Sequence, residues 1–421
     1  MRVSRASRMI PAIGLALFVV PSCARSPNAP LVNATPDPPR QAVSQPIVIV
    51  DVTVIPMDAE VARAHQSVLV TDGKIAWVGD ASRLPQTDAV VVPGAGRYLM
   101  PALIDMHAHL HAAEGYPYKY IANGVGTIRN MWGTASVARL VASVAAGATE
   151  GPSIVSASPG LDGNPPQWPG TIMVTAPESA KTAVDAQRAA GWPFLKVYTS
   201  LSPSVFDAIM AAARDAGIAP IGHVPLAVDI RHALVSGMRS IEHLTGYDRA
   251  VSRRHNCCIA GWADADTTLF ADLVDATVTA SVWNCPTLAI DVVLAQQLPA
   301  SQRDIAIGNR RAFVRMLSKR GAPLLLGTDA GIGVVAPGSS LHDELREFVT
   351  AGLSPYAALR AGTIDAARFL GRDDLGRITV GAVADLLLLQ GNPLLDVTAA
   401  QRIEGMVLHG AWIPKSVFVA P

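Results

Sequence analysis

Between residues 101 and 375 the chain repeats one alternation. A short apolar run ends in a polar or glycine-rich turn, and an alanine-rich stretch of helical character follows. The runs read GVGTIRNM, PSIVSASPG, PFLKVYTS, GIAPIGHVP, GMRSIEHLTG, ATVTASVWNCPTL and GAPLLLGTDAG, with stretches such as SPSVFDAIMAAARDAG and IRHALVSG between them. Together with the strand-like segment MPALIDMHAHL at 100–110 they make eight βα units, the number that closes a (β/α)8 TIM barrel. The expected fold class is therefore α/β, with the barrel over residues 101–375. In such a fold the chemistry sits at the C-terminal ends of the strands, so the polar residues found there carry the information.

The two ends of the chain read differently. IVIVDVTVIPM, SVLVTDGKIAWVGD and AVVVPGAGRYLMPALID are β-branched runs punctuated by Gly and Asp, with TDGK as a hairpin turn; GRITVGAVADLLLLQGNP and IEGMVLHGAWIP repeat the pattern near the C-terminus. They predict a small composite β-sandwich built from residues 47–100 and 376–421. Ahead of it, a basic MRVSRASR, a short apolar run and PSCARS read as an export signal over residues 1–23. VPSC is similar to a bacterial lipobox with Cys23 as the lipid-bearing residue. A proline-rich linker over 24–46 would then tether the folded part, giving an expected location in the bacterial periplasm or on a membrane as a lipoprotein.

Lys+Arg and Asp+Glu are equal at 34 each, so charge offers nothing for nucleic-acid binding, and the expected partner is a small-molecule substrate. Membrane association is expected only through the N-terminal lipid, and a homo-oligomer stays open. Cys257, Cys258 and Cys285 show no CxxC spacing; they read either as apolar thiols or as one bridge from Cys285 to either neighbour.

Polar residues at the predicted strand ends are His107 and His109 on the first, Lys196 on the fourth, His223 on the fifth, His243 on the sixth and Asp329 on the eighth. Side chains two apart on a strand share a face, so His107 and His109 point into one pocket. Each residue taken singly has a bland reading, as a bonded core histidine, a snorkelling lysine or a turn-capping aspartate. Their collective placement favours a metal, because imidazoles with a carboxylate suit zinc and similar divalent ions. An ammonium beside two dications would be repelled; a lysine carboxylated by carbon dioxide becomes an anion able to bridge them.

The ordered set HxH after MPALID, then Lys, GHV, IEH and GTDAG, resembles the amidohydrolase superfamily in its binuclear, carboxylated-lysine form. It looks most like the imidazolonepropionase-like and aminoacylproline dipeptidase (prolidase)-like branch. AALRAGTIDAARFLGRDDLGRITVGAVADLLLL resembles that superfamily's last helix and returning β-domain, so the resemblance spans about residues 47–415. It implies two divalent ions, zinc first among them. His107, His109 and Asp329 would hold one and His223 and His243 the other, with carboxylated Lys196 and a hydroxide between them. It also implies that Asp329 is catalytic, taking the proton of the attacking water and passing it to the leaving amine.

Tyr198 lies two residues beyond Lys196 on the same strand face. It is a candidate catalytic donor to the tetrahedral oxyanion or a substrate carboxylate, against the reading of a wall tyrosine bonded to backbone. Arg129 reads as a structural tie, and relatives often carry Asp where Asn130 stands. His111 is placed for either the pocket mouth or an exposed loop, and His342 for capping a helix or facing substrate. Trp168, in GLDGNPPQWPG, marks a candidate substrate lid.

The function implied is exported, metal-dependent hydrolysis of C–N bonds in small substrates, such as Xaa-Pro dipeptides or N-acyl amino acids. A lactonase or phosphotriesterase on the same metal pair, and a non-catalytic metal- or solute-binding lipoprotein, are the rival readings. A Ser-His-Asp hydrolase has no G-x-S-x-G elbow to support it.

Overall fold

The computed structural model describes residues 45–110 and 116–418. The export signal, Cys23, almost all of the linker, and His111 lie outside these residues. Among the described residues, no helix is long and apolar enough to cross a membrane.

The fold is mixed α/β, with two kinds of sheet. Strands β1 (Ile47–Val54), β2 (Arg63–Thr71), β3 (Lys74–Asp80), β4 (Val90–Pro93) and β5 (Tyr98–Pro101) come first. A second series follows with β6 (Leu103–Ala108), β7 (Val125–Asn130), β8 (Ser153–Ser156), β9 (Leu161–Asp162) and β10 (Ile172–Met173). It continues as β11 (Phe194–Val197), β12 (Ala219–Gly222), β13 (Ser240–Glu242) and β14 (Trp283–Cys285). The chain ends with β15 (Leu386–Leu389), β16 (Ile403–Leu408) and β17 (Ala411–Pro414).

Strands from both ends form one eight-stranded sheet, ordered β17-β16-β15-β5-β1-β2-β3, with β4 beside β1. The TDGK hairpin forms with Asp72 at φ 52° and Gly73 at φ 72°, the left-handed pair that a two-residue turn between twisted strands requires. The unbroken Leu386–Leu389 run is explained by burial on both faces. Leu386 and Leu388 pack with Ile47, Ile49, Val68 and Leu99 in the end sheet's core, while Leu387 and Leu389 join the larger core with Met100 and Met406. Because successive side chains alternate, one strand serves two cores.

The central strands are parallel. β6, β7 and β8 form one sheet, and β10-β9-β11-β12-β13-β14 another. Isolated parallel bridges join what the sheets leave apart: Ala157 to Phe194, Asn284 to Leu324, and Ala330 to Ala108. The GAPLLLGTDAG segment is thus held on both sides without becoming a regular strand. Leu325 N donates to Asn284 O on one side, and the carbonyls of Leu326 and His107 pair with Met106 N and Asp329 N on the other. Helices such as Pro203–Ala216 and Ser339–Ala351 begin with Pro or small polar residues, and each ends at a left-handed glycine, Gly217 or Gly352. Trp262, Phe270, Phe313 and Tyr247 form a buried aromatic group.

Candidate active site

His107 is fully buried at the end of β6. Its Nδ1 lies 2.8 Å from Glu242 Oε2, and Glu242 also accepts from Arg129 Nη2 with both oxygens, each at 2.9 Å, and from the Ser240 hydroxyl. Burial pushes the Glu242 carboxyl up, but the Arg129 guanidinium and His107 outweigh it and hold it far below the carboxylate range. An ionised carboxylate only accepts, so His107 Nδ1 carries a proton and Nε2 is the nitrogen turned toward Asp329. That Nε2 has no hydrogen-bond partner, yet it lies 3.2 Å from Asp329 Oδ1; His109 Nε2 lies 3.0 Å from the same oxygen. Two imidazole nitrogens around one carboxylate oxygen at this range make a donor set that suits a divalent ion.

His243 is fixed in the same way. The Thr287 hydroxyl gives its hydrogen to Pro286 O at 2.7 Å, so it accepts from His243 Nδ1 at 2.8 Å, and Nε2 is the free lone pair. His223 Nδ1 pairs with the Thr199 hydroxyl at 3.2 Å. The His243 ring lies 4.4 Å from that of His107 and 5.0 Å from that of His223, between centroids. Burial lowers the basicity of His109, His223 and His243, which favours the neutral form that can ligate. For Asp329 burial acts upward, but the His243, His107 and His109 imidazoles around it hold its carboxyl well below the usual range.

Lys196 is buried on β11, and its Nζ has no hydrogen-bond partner. Burial lowers its pKa to about 8, against the opposing pull of Glu242 and Asp329. A buried, unpartnered amine with a substantial neutral fraction near neutral pH is chemically suited to take up carbon dioxide. Tyr198 lies beyond it, with Lys196 Nζ 5.6 Å from the ring centre and the ring stacked 4.1 Å from His223. Trp168 Nε1 donates to the Tyr198 hydroxyl at 2.7 Å. Burial raises the Tyr198 phenol, so it stays protonated and keeps its own O–H to give.

His109, Lys196, Tyr198, His223, His243 and Asp329 line one cavity of about 880 Å³, which also meets Trp132, Trp168, Leu226 and Ile332. Two groupings among the described residues could hold an ion: His107 with His109 and Asp329, and His107 with Glu242 and Cys285. The second is disfavoured, because Glu242 is already saturated by Arg129, Ser240 and His107. The residues fit the first grouping, and the unpartnered Lys196 and His107 nitrogens extend the same fit toward His243 and His223. Asp329, His243 and Thr287 all have positive φ, at 61°, 58° and 52°. Left-handed backbone thus occurs at three of the residues that build the site.

The other sequence candidates fall away from the centre. Arg129 is a buried tie that also donates through Nε to Met106 O. Asn130 accepts from Leu110 N and donates to Trp132 O and Ser156. His342 is buried on the helix Ser339–Ala351 with Nε2 3.0 Å from Asn123 O, away from the cavity lining. Cys285 is a fully buried free thiol, and Cys257 and Cys258 are free thiols too, so the bridge from Cys285 to either is not formed. Three contributors escaped the sequence reading: Glu242, Thr287 and Thr199. Glu242 stands inside the quoted IEH, but its partners come from β6 and β7, a long-range pairing that no local pattern reveals.

A model of the amidohydrolase family matches residues 98–413. The chain is 42% identical over 98 residues to the imidazolonepropionase of Shewanella oneidensis, a match covering 19% of this chain and 24% of that protein. The chain thus matches about a quarter of the length of this curated relative. Among solved structures, a bottromycin amidohydrolase is 25% identical with a TM-score of 0.72, over 88% of this chain and 87% of that one. A Xaa-Pro dipeptidase with methionine bound in its active site is 17% identical with a TM-score of 0.71, over 88% of this chain and all (100%) of that one, and shares the fold.

Proposed function

Because the chain belongs to the amidohydrolase family, we propose that it is a metal-dependent hydrolase of C–N bonds in small substrates, with Xaa-Pro dipeptides and N-acyl amino acids as the leading classes. The observation that carries this reading is the convergence of His109, Lys196, His223, His243 and Asp329 on one cavity wall, with His107 buried behind them against Asp329, and with Lys196 Nζ and His107 Nε2 lacking a hydrogen-bond partner. The isolated bridges between the central sheets support a closed (β/α)8 barrel, with the end sheet as a separate sandwich-like domain over 47–100 and 376–421. An N-terminal export signal with a lipid on Cys23 belongs to the same proposal, as does a periplasmic or membrane-tethered location.

His107, His109 and Asp329 would hold one divalent ion and His223 and His243 the other, zinc being the leading candidate. Lys196, carboxylated, would reach both. When bound, the ions supply an acidified water and polarise the substrate carbonyl. The remaining work belongs to the chain. Asp329, kept ionised, accepts the proton of the attacking water and returns it to the departing nitrogen. Tyr198, its oxygen held by Trp168, presents a proton to the oxygen on which charge builds. Trp168, half exposed at the cavity, is placed to cover bound substrate and exclude water.

The test is metal analysis together with turnover. Zinc-loaded wild-type protein in bicarbonate is expected to hold two ions, to carry a carbon dioxide adduct on Lys196, and to release free amine from a panel of Xaa-Pro dipeptides and N-acyl amino acids. Lys196→Ala is expected to lose at least one ion and nearly all turnover. Two-ion occupancy and full rate in that variant would end the proposal.

A further inference from the structure

Cys257 and Cys258 are neighbours in sequence, and their sulfurs lie 3.1 Å apart. Adjacent side chains on an extended backbone point to opposite sides. Cys257 is extended, with φ −98° and ψ 172°, but Cys258 turns into the left-handed region at φ 60° and breaks that alternation. A non-glycine residue held there is strained, and such strain persists only where the surroundings enforce it. Here they do. Cys258 N donates to Asp248 Oδ2 at 2.5 Å, Gly261 N donates to Cys257 O, and Asn256 N is held by the Ser252 hydroxyl. A side chain at Gly261 would collide with the carbonyls of Asn256 and Asp248, so the loop is packed against a buried carboxylate.

Cys258 is exposed and Cys257 partly so, and both line the cavity that holds Tyr198 and His223. We propose that Cys257 and Cys258 form a reversible vicinal disulfide on the wall of this cavity, a modification site whose ligand class is a small disulfide oxidant such as glutathione disulfide. The proposal does not depend on the hydrolytic reading. The Cys257 thiolate attacks one sulfur of the oxidant, breaking its S–S bond and releasing one glutathione. The Cys258 sulfur then attacks Cys257 Sγ, the bond to the second glutathione breaks, and it leaves. Two protons and two electrons pass from the pair to the two released thiols.

The ring this bridge closes is strained, because adjacent Cα atoms sit closer than ordinary disulfides prefer, so it reopens readily under reducing conditions. Cys285, enclosed with Ile104 and Met106, takes no part.

The test uses the whole protein, incubated with glutathione disulfide, unfolded in denaturant, labelled with one alkylating reagent, reduced, and labelled with a second of different mass. Fragment-ion mass spectrometry places the labels. The expected result is the second label on both Cys257 and Cys258, the first on Cys285, and loss of two hydrogens with no attached glutathione. Cys258→Ser is expected to trap glutathione on Cys257. The first label on both residues in wild type, lasting glutathione attachment there, or a bridge that includes Cys285 would each overturn the proposal.

Discussion

Glu242 touches nothing that reacts, yet three of its neighbours depend on its charge. It neutralises Arg129 in a fully buried pair, fixes the tautomer of His107, and sits two residues beyond Ser240, whose hydroxyl it accepts. Removing one member of such a pair strands the other in a medium that cannot solvate it. Glu242→Gln is therefore expected to destabilise the fold by roughly 3–5 kcal/mol, read by urea unfolding. It is also expected to lower occupancy of the proposed metal site, because a neutral amide holds the proton on His107 Nδ1 less firmly than a carboxylate does. Wild-type stability with full occupancy would contradict the assignment. The histidines and Lys196 were legible because strand spacing and coordination chemistry mark them locally. Their supports, Glu242 and the threonine hydroxyls, were not, because each acts across strands far apart in sequence.

At the scale of elements, the segment bearing Asp329 is the least regular part of the central wall. It reads as the eighth strand and is bonded on both sides, yet only Leu324 and Ala330 make bridges. The turn that sends Asp329 into a left-handed conformation and brings Thr328 onto Asp105 interrupts the ladder. Apolar runs bounded by glycine do not disclose such a break. Gly327 permits this close approach: a methyl group there would meet Cys285 Sγ at 2.6 Å and His107 N at 2.7 Å. Gly327→Ala is expected to cost about 1–3 kcal/mol by overpacking and to loosen Asp329 from His107. A lowered thermal midpoint together with weakened zinc binding would show it; an unchanged protein would mean that the wall yields freely.

Over the whole molecule, pH acts through buried groups of opposite sense. His342 is pushed down to about 4 by burial, so the fold keeps it neutral while the unfolded chain protonates near its ordinary value of 6.5. Its contribution is complete above that value and is lost as pH falls through the interval toward 4, a swing of roughly 3 kcal/mol at most. Glu344, raised to about 8, and Asp291, raised to about 7, work the other way, since the fold holds protons there that the open chain releases. The informative measurement is therefore a difference. The unfolding free energy of wild type minus that of His342→Gln should shrink between pH 7.5 and 4.5, and a constant gap would remove His342 from the account. The alternating middle of the chain announced its α/β character, and the strand-rich ends announced a second sheet; which strand of one end would border which of the other was hidden, because those partners lie hundreds of residues apart. β5 at Tyr98–Pro101 borders β15 at Leu386–Leu389. During synthesis, then, the first-made ribbon waits with one edge bare until the last leucines leave the ribosome. This is a topology in which late closure sets the pace of maturation and a chaperone has most to shield.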